Sequence, residues 1–225
     1  MIGSIVNFFA IILGSITGIV FKNRFPEKMQ RIVMQGLGLA VILIGLQMAL
    51  ETQNILIVIF SLVIGGIIGE LFGIEAKLHN LAVYIKNKLN KENDLFVKGF
   101  VQSSLVFCVG AMAIMGAIQD GLNNDPSILF NKSILDGFAS IAFAASFGVG
   151  VMFSAIPVLL YQGSISFLAI YIEKYLSHAM VVEMTATGGL LIFAIGLNII
   201  GVSDIKVGNL LPAILISIIL LVFVG

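Results

Sequence analysis

Eight runs of apolar residues, each 17 to 22 residues long, follow one another along this chain with polar connections between them. Their approximate limits are 4–21, 33–50, 54–73, 97–118, 133–154, 156–172, 181–200 and 206–224. An α-helix rises 1.5 Å per residue, so about 20 residues cross the roughly 30 Å hydrocarbon core of a bilayer. In that solvent each backbone group must find its partner inside the protein, and a helix satisfies itself within one segment. The pattern therefore points to an all-α, polytopic transmembrane helix bundle of about eight helices. The fifth and sixth runs meet near Pro157; if that proline only kinks one long helix, the count is seven.

Charge agrees. Only 11% of the 225 residues are charged, against roughly 25% in a soluble domain. That is too little to cover a surface facing water. The 24 glycines suit close helix packing in lipid. Net charge is zero, without the basic excess of a nucleic-acid-binding surface. One cysteine, Cys108, excludes an intrachain disulfide and a Cys-rich metal site; it reads as a small buried hydrophobe. The first run reads as a retained span rather than a signal peptide. No basic region precedes it, no small-x-small cleavage motif follows it, and Lys22 and Arg24 come after it.

Lysines and arginines orient the bundle. Lys22, Arg24, Lys28 and Arg31 follow the first run, and Lys77, Lys86, Lys88, Lys91 and Lys98 follow the third. Alternation puts both clusters on one side, which the positive-inside rule makes cytoplasmic. The basic connections after the first and third runs are therefore expected on the cytoplasmic face of the membrane. Within the second cluster Ile74, Leu78, Leu81, Ile85 and Leu89 recur at helical spacing between lysines, which predicts an amphipathic interfacial helix over about 74–92.

One stretch occurs twice. Residues 36–47 read GLGLAVILIGLQ and residues 187–198 read TGGLLIFAIGLN, with five of twelve positions identical and an amide, Gln47 or Asn198, closing each copy. Duplicated membrane segments mark repeat architectures, commonest in transporters. With eight crossings the copies run in opposite directions, which makes an inverted repeat. Its halves are expected over about 1–95 and 97–225.

Ionisable residues inside apolar runs are costly, roughly 2.5–3.5 kcal/mol at mid-helix on insertion scales, and are functional candidates for that reason. Asp136 (KSILDGF, 132–138) is expected about a turn inside the fifth run, and Asp120 (AIQDGL, 117–122) at the end of the fourth. Two Asp-Gly pairs flanking one connection could bring two carboxylates together, as a hard-cation site or a proton relay. The structural alternative is that Asp120 caps a turn and that Asp136 caps or pairs with Lys132, four residues earlier. Glu183 opens the seventh run with Thr185, Thr187 and the Gly188–Gly189 pair behind it; it either binds Na⁺ or a proton, or sits at a helix N-terminus where the dipole favours it. Na⁺ is possible at Asp136 or Glu183, and no firm metal site is read. Gln47 and Asn198 either bond between helices or flank a substrate. Asn7, Thr17, Gln102, Ser103 and Ser104 read as packing groups, with the lining of a solvated pathway as the alternative, and Glu70 and Glu75 as surface charges. Neither His79 nor His178 lies in a catalytic motif, so no enzyme activity and no cofactor is expected.

Four stretches in order, CVGAMAIMGAIQDGL (108–122), KSILDGF (132–138), IPVLLYQG (156–163) and EMTATGGLLIFAIGLNI (183–199), resemble the YqgA/YdfK-like family of bacterial integral membrane proteins, catalogued as a domain of unknown function. The resemblance covers nearly the whole chain. It implies a protein of the bacterial cytoplasmic (inner) membrane without an established substrate, and directs attention to Gln119, Asp120, Asp136, Gln162, Glu183, Thr185, Thr187 and Asn198.

The functional expectation is a small secondary transporter of an unidentified solute or ion, coupled to a cation or proton through Asp136 and Glu183. Its partners are the lipid bilayer, a small solute or cation, and a second copy in a homodimer. The alternatives are an ion channel and a structural or regulatory membrane protein.

Overall fold

In a computed structural model, the structure describes all residues except 23–26, 89–94, 110, 173–175 and 225. Arg24, Leu89 and Lys91 of the expectations above lie outside the described residues. Regular structure among the described residues is entirely helical: α1 (Ile2–Lys22), α2 (Glu27–Ala49), α3 (Ile55–Phe72), α4 (Ile74–Lys88), α5 (Leu95–Cys108), α6 (Ala111–Asn123), α7 (Ser127–Phe147), α8 (Gly150–Phe153), α9 (Ala155–Ile172), α10 (His178–Ile200), α11 (Val207–Leu210) and α12 (Pro212–Val224).

Among the described residues each apolar run is mostly helix, but the breaks are not all where hydropathy put them. Five helical segments are long and apolar enough to cross a membrane, α5 and α6 make a sixth if their 61° bend lies within one span, and Met34–Ala49 and Val207–Phe223 are shorter apolar helices. The expected continuous fourth span is thus two helices. The fifth and sixth runs separate at Gly148, not at Pro157. Gly148 has φ 82° and ψ −151°, a conformation that a side chain would resist. Pro157 sits in the first turn of α9, where its missing N–H has no partner to lose.

The outward faces carry large apolar side chains, including Phe9, Leu13 and Val20 on α1 and Val63, Ile67 and Leu71 on α3. Continuous apolar exposure of this kind is suited to lipid. Buried positions mix large apolar side chains such as Phe96, Phe107 and Phe143 with small and polar ones such as Ser4, Asn7 and Gln162. The helices divide into two compact units: Met1–Gly36, Leu81–Cys108 and Met112–Tyr175, and Leu37–Asn80, Val109–Ala111 and Leu176–Gly225. Each unit draws on both halves of the sequence.

In the first unit α1 and α7 run parallel in close contact. A methyl group added at Gly3 would meet Leu129, at Gly14 the Gly137 carbonyl, and at Gly18 the Ile141 carbonyl. The first unit also holds the second half of α4, whose Ala82 packs with Phe96, Val97 and Phe100 of α5.

In the second unit the two copies of the repeated stretch pack on each other. Sequence alignment matches Gly38 with Gly189 and Gly45 with Gly196. In space Gly38 lies against Gly196, and Gly45 against Gly189, so each glycine meets the counterpart of the other. The helices α2 and α10 are antiparallel, and the contact is self-complementary, as across a two-fold axis. Continuing the alignment, α3 corresponds to α11–α12. These also cross antiparallel, Gly65 against Ala213 and Gly69 against Asn209. Parallel α1/α7 and antiparallel α2/α10 and α3/α12 are the directions that alternation over eight runs produces.

Candidate functional site

The acid expected a turn inside its run lies deeper. Asp125 accepts hydrogen bonds from the Ser127 amide and hydroxyl and starts α7 six residues before its apolar run begins. Asp136 is therefore the tenth of 21 residues in α7, near the midpoint of a helix just long enough to cross. The Ser127 hydroxyl and amide, and then the Gln119 side chain, hold the Asp125 carboxyl below the usual carboxylate range.

Asp136 is not alone. The Lys132 ammonium donates to its Oδ2 at 2.6 Å, and Asn7 Nδ2 on α1 donates to the same oxygen at 2.9 Å. Asn7 Nδ2 also reaches Gln162 Oε1 on α9, at 3.3 Å. All four residues are buried. An ion pair at this depth is tolerable because each charge has a partner. The amides are only half satisfied: Asn7 Oδ1 and Gln162 Nε2 are buried without a partner, and each such atom costs about 1–3 kcal/mol. Cys108, at the end of α5, lies within electrostatic range of Lys132 and Asp136.

Asp120, in the last turns of α6, is also buried. Its Oδ2 accepts from the Gly3 amide at 3.0 Å and lies 2.9 Å from the Met1 nitrogen. It therefore supplies a negative charge at the N-terminus of α1, where free N–H groups and the helix dipole favour one. Gln119 turns the other way and donates to Asp125 Oδ2 at 2.5 Å. Asp120 and Asp136 thus both reach α1, at Gly3 and at Asn7, one helical turn apart.

The second unit holds Glu183, which is buried in the second turn of α10. Thr52 Oγ1 donates to its Oε2 at 2.7 Å, and the Gln53 and Asn54 amides donate to Oε1 at 2.8 and 3.0 Å. Asn54 in turn caps α3, accepting from the Leu56 amide. Glu183 therefore fastens the loop that starts α3. Thr185 and Thr187 are buried on the same helix, their hydroxyls without partners.

The amides of the repeat differ. Asn198 Oδ1 accepts from Ser203 Oγ and from the Ile205 amide, and its Nδ2 donates to the Ile205 carbonyl. It closes the loop after α10. Gln47 is exposed, and Thr52, the counterpart of Ser203, bonds to Glu183 instead. At the other end of α3, Glu75 accepts from the Gly208 amide at 2.6 Å. Asn209 accepts from the Glu75 amide and donates to Glu70. Glu75, read as a surface charge, is a cap for α11.

Sequence reasoning singled out Asp136 and Gln162 but passed over Lys132 and Asn7 as site residues. The four-residue spacing of Lys132 and Asp136 was a usable signal. Asn7 stands out in the sequence only as a polar residue in the first apolar run, and its partners are 129 and 155 residues away. Among the described residues, no three His, Cys, Asp or Glu side chains are grouped to hold a metal ion.

Apolar helices, lipid-suited surfaces and a buried mid-helix ion pair define a helical membrane protein. The chain belongs to the family described as "Protein of unknown function (DUF554)", which matches residues 2–222. It is 34% identical over 220 residues to "Uncharacterized membrane protein YdfK" of Bacillus subtilis (strain 168), covering 96% of this chain and 93% of that one. It is 33% identical over 224 residues to "Uncharacterized protein YqgA" of Escherichia coli (strain K12), covering 96% and 94%. No solved structure matches it. The resemblance carried by the four sequence stretches is thus to the family in which the chain belongs.

Proposed function

We propose that this chain is a small secondary transporter of the bacterial cytoplasmic membrane, built on an inverted repeat and coupled to a proton or monovalent cation at Asp136. The observation that carries the reading is the buried Lys132–Asp136 pair at the middle of α7, with a 2.6 Å separation. An arriving proton or cation that neutralises Asp136 competes with the Lys132 ammonium for the same carboxylate. Once displaced, that ammonium is a buried cation without a counter-charge, a state that favours rearrangement of the helices around it. Rearrangement driven in this way links ion binding to opening on the other side. The self-complementary packing of α2 on α10 is the kind of repeat contact about which such rocking occurs in other transporters. Glu183 takes no part in coupling on this reading; its oxygens hold the start of α3. The working unit is a homodimer, because eight short spans are few for an alternating-access monomer.

Proteoliposomes enclosing a pH-sensitive dye provide the test. An imposed Na⁺ or K⁺ gradient should move protons through the wild-type protein, and Asp136→Asn should abolish the movement. Unchanged flux in Asp136→Asn removes that carboxylate from the mechanism. Steady single-channel currents in a planar bilayer would favour a channel. Absence of flux in both proteins removes exchange of Na⁺ or K⁺ for protons as the reaction.

A further inference from the structure

Among the described residues of the first unit, several buried polar atoms have no partner, Ser15, Gln102, Ser103 and Ser140 holding some of them, and four others fall in two layers. Ser4 Oγ on α1 and Ser166 Oγ on α9 lie at the level of Asp120. Asn7 Oδ1 and Gln162 Nε2 lie at the level of Asp136, one turn further along the same two helices. The residue next to Asp120 fixes the first layer, since a methyl added at Gly121 would meet the Ser166 carbonyl. Serine hydroxyls in membrane helices ordinarily bond back to the preceding turn, as Ser104 does to Phe100 and Ser133 to Leu129. Ser4 and Ser166 do not, nor do Ser15, Ser103 and Ser140. Their residues and both amides are at least nine-tenths buried, and buried polar atoms in native proteins are nearly always paired.

The chemistry of the four atoms selects their partner. Asn7 Oδ1 can only accept, Gln162 Nε2 can only donate, and the two hydroxyls do both. A bare cation would satisfy the acceptors and repel the amide donor; an anion would do the reverse. Water donates and accepts, and bridges such groups at little cost.

We propose that Ser4, Ser166, Asn7 and Gln162 line a file of water molecules that carries protons from Asp120 to Asp136. A proton taken from bulk water makes Asp120 a carboxylic acid. It then passes along the file, each oxygen accepting one proton and releasing another, and Asp120 returns to the carboxylate. Asp136 becomes the acid, and the Lys132 ammonium keeps its charge and loses its counter-ion. The groups facing this route are the Met1 nitrogen and Gly3 amide at Asp120 and Lys132 and Asn7 at Asp136, with Cys108 within electrostatic range of Lys132 and Asp136. The proposal rests on coupling at Asp136 and adds the route and its end. By the alternation of spans, the Asp120 end opens to the outside.

Cysteine accessibility tests the file without relying on transport. In a Cys108→Ala background, Ser4→Cys and Ser166→Cys are near-isosteric replacements, and Leu13→Cys on the lipid-facing side of α1 is the control. Only a hydrated thiol ionises and reacts with a charged methanethiosulfonate. Ser4→Cys and Ser166→Cys should each react at least about tenfold faster than Leu13→Cys, with reagent added outside intact cells. Rates no greater than that of Leu13→Cys, or reaction only from the inside, overturn the route. Proton flux through Ser4→Ala should also fall. If the wild type shows no Asp136-dependent flux, the coupling reading fails on that result alone, and the labelling rates still decide whether the file is wet.

Discussion

At the scale of single residues, the decisive fact is that one carboxylate oxygen of Asp136 serves both an ammonium and an amide. Removing one member of a buried ion pair is worse than removing both, because the survivor stays charged in a poor solvent. Lys132→Met should therefore destabilise the protein by about 3–5 kcal/mol, and Lys132→Met with Asp136→Leu by clearly less. Thermal unfolding in one detergent measures both, and a loss in the double variant as large as or larger than that of Lys132→Met would show that the stranded Asp136 charge is not what costs the stability. The acids at helix ends behave differently. Asp120 and Glu183 accept from backbone amides at the starts of α1 and α3, where charge and dipole are complementary. The Asp-Gly and EMTATGG motifs show that these carboxylates are unusual, but not which amides they reach.

At the scale of elements, packing is set by where a helix lacks a side chain. A methyl at Gly45 would strike the Phe193 backbone and the Gly189 carbonyl, and one at Gly189 would strike Ala49 and the Gly45 carbonyl; at Gly36 it would meet nothing. Gly45→Ala and Gly189→Ala should each cost about 1–3 kcal/mol through overpacking. Gly36→Ala should be neutral or stabilising by up to about 1 kcal/mol, since alanine favours helix. Melting temperatures of the three variants check this. Similar losses at Gly45 and Gly189 follow from the self-complementary contact, and a large difference between them would mean that the two copies pack unequally. Helix existence was legible because hydropathy alone produces it. The Gly148 break was not, because glycine is compatible with a continuous membrane helix and only the packed backbone reveals its positive φ.

At the scale of the whole molecule, the directions of paired helices within each unit, together with the lysine and arginine clusters, predict which ends meet which solvent. With Cys108→Ala as background, cysteines at the exposed residues Glu51 and Asn123 should react with an impermeant reagent outside intact cells. One at Asp204 should react only after permeabilisation. Labelling of Glu51→Cys and Asp204→Cys from one side would contradict a single crossing by α3, which separates the loop that precedes it from Glu75, the partner of Gly208.

Hydropathy, charge scarcity and the duplicated glycine-leucine stretch were enough to make this chain a helical membrane protein with related segments in its two halves, because lipid leaves an apolar segment almost no choice but helix. They could also nominate Asp136, since a carboxylate inside an apolar run is conspicuous wherever the chain folds. Packing alone decided what each polar residue does. It placed Asn7 and Gln162 beside Asp136, turned Glu183 onto the loop before α3, and set Asp120 and Asp136 one turn apart along α1. Those contacts join residues more than a hundred positions apart. Their geometry depends on which faces of two helices meet and at what height, and neither is encoded within any one segment.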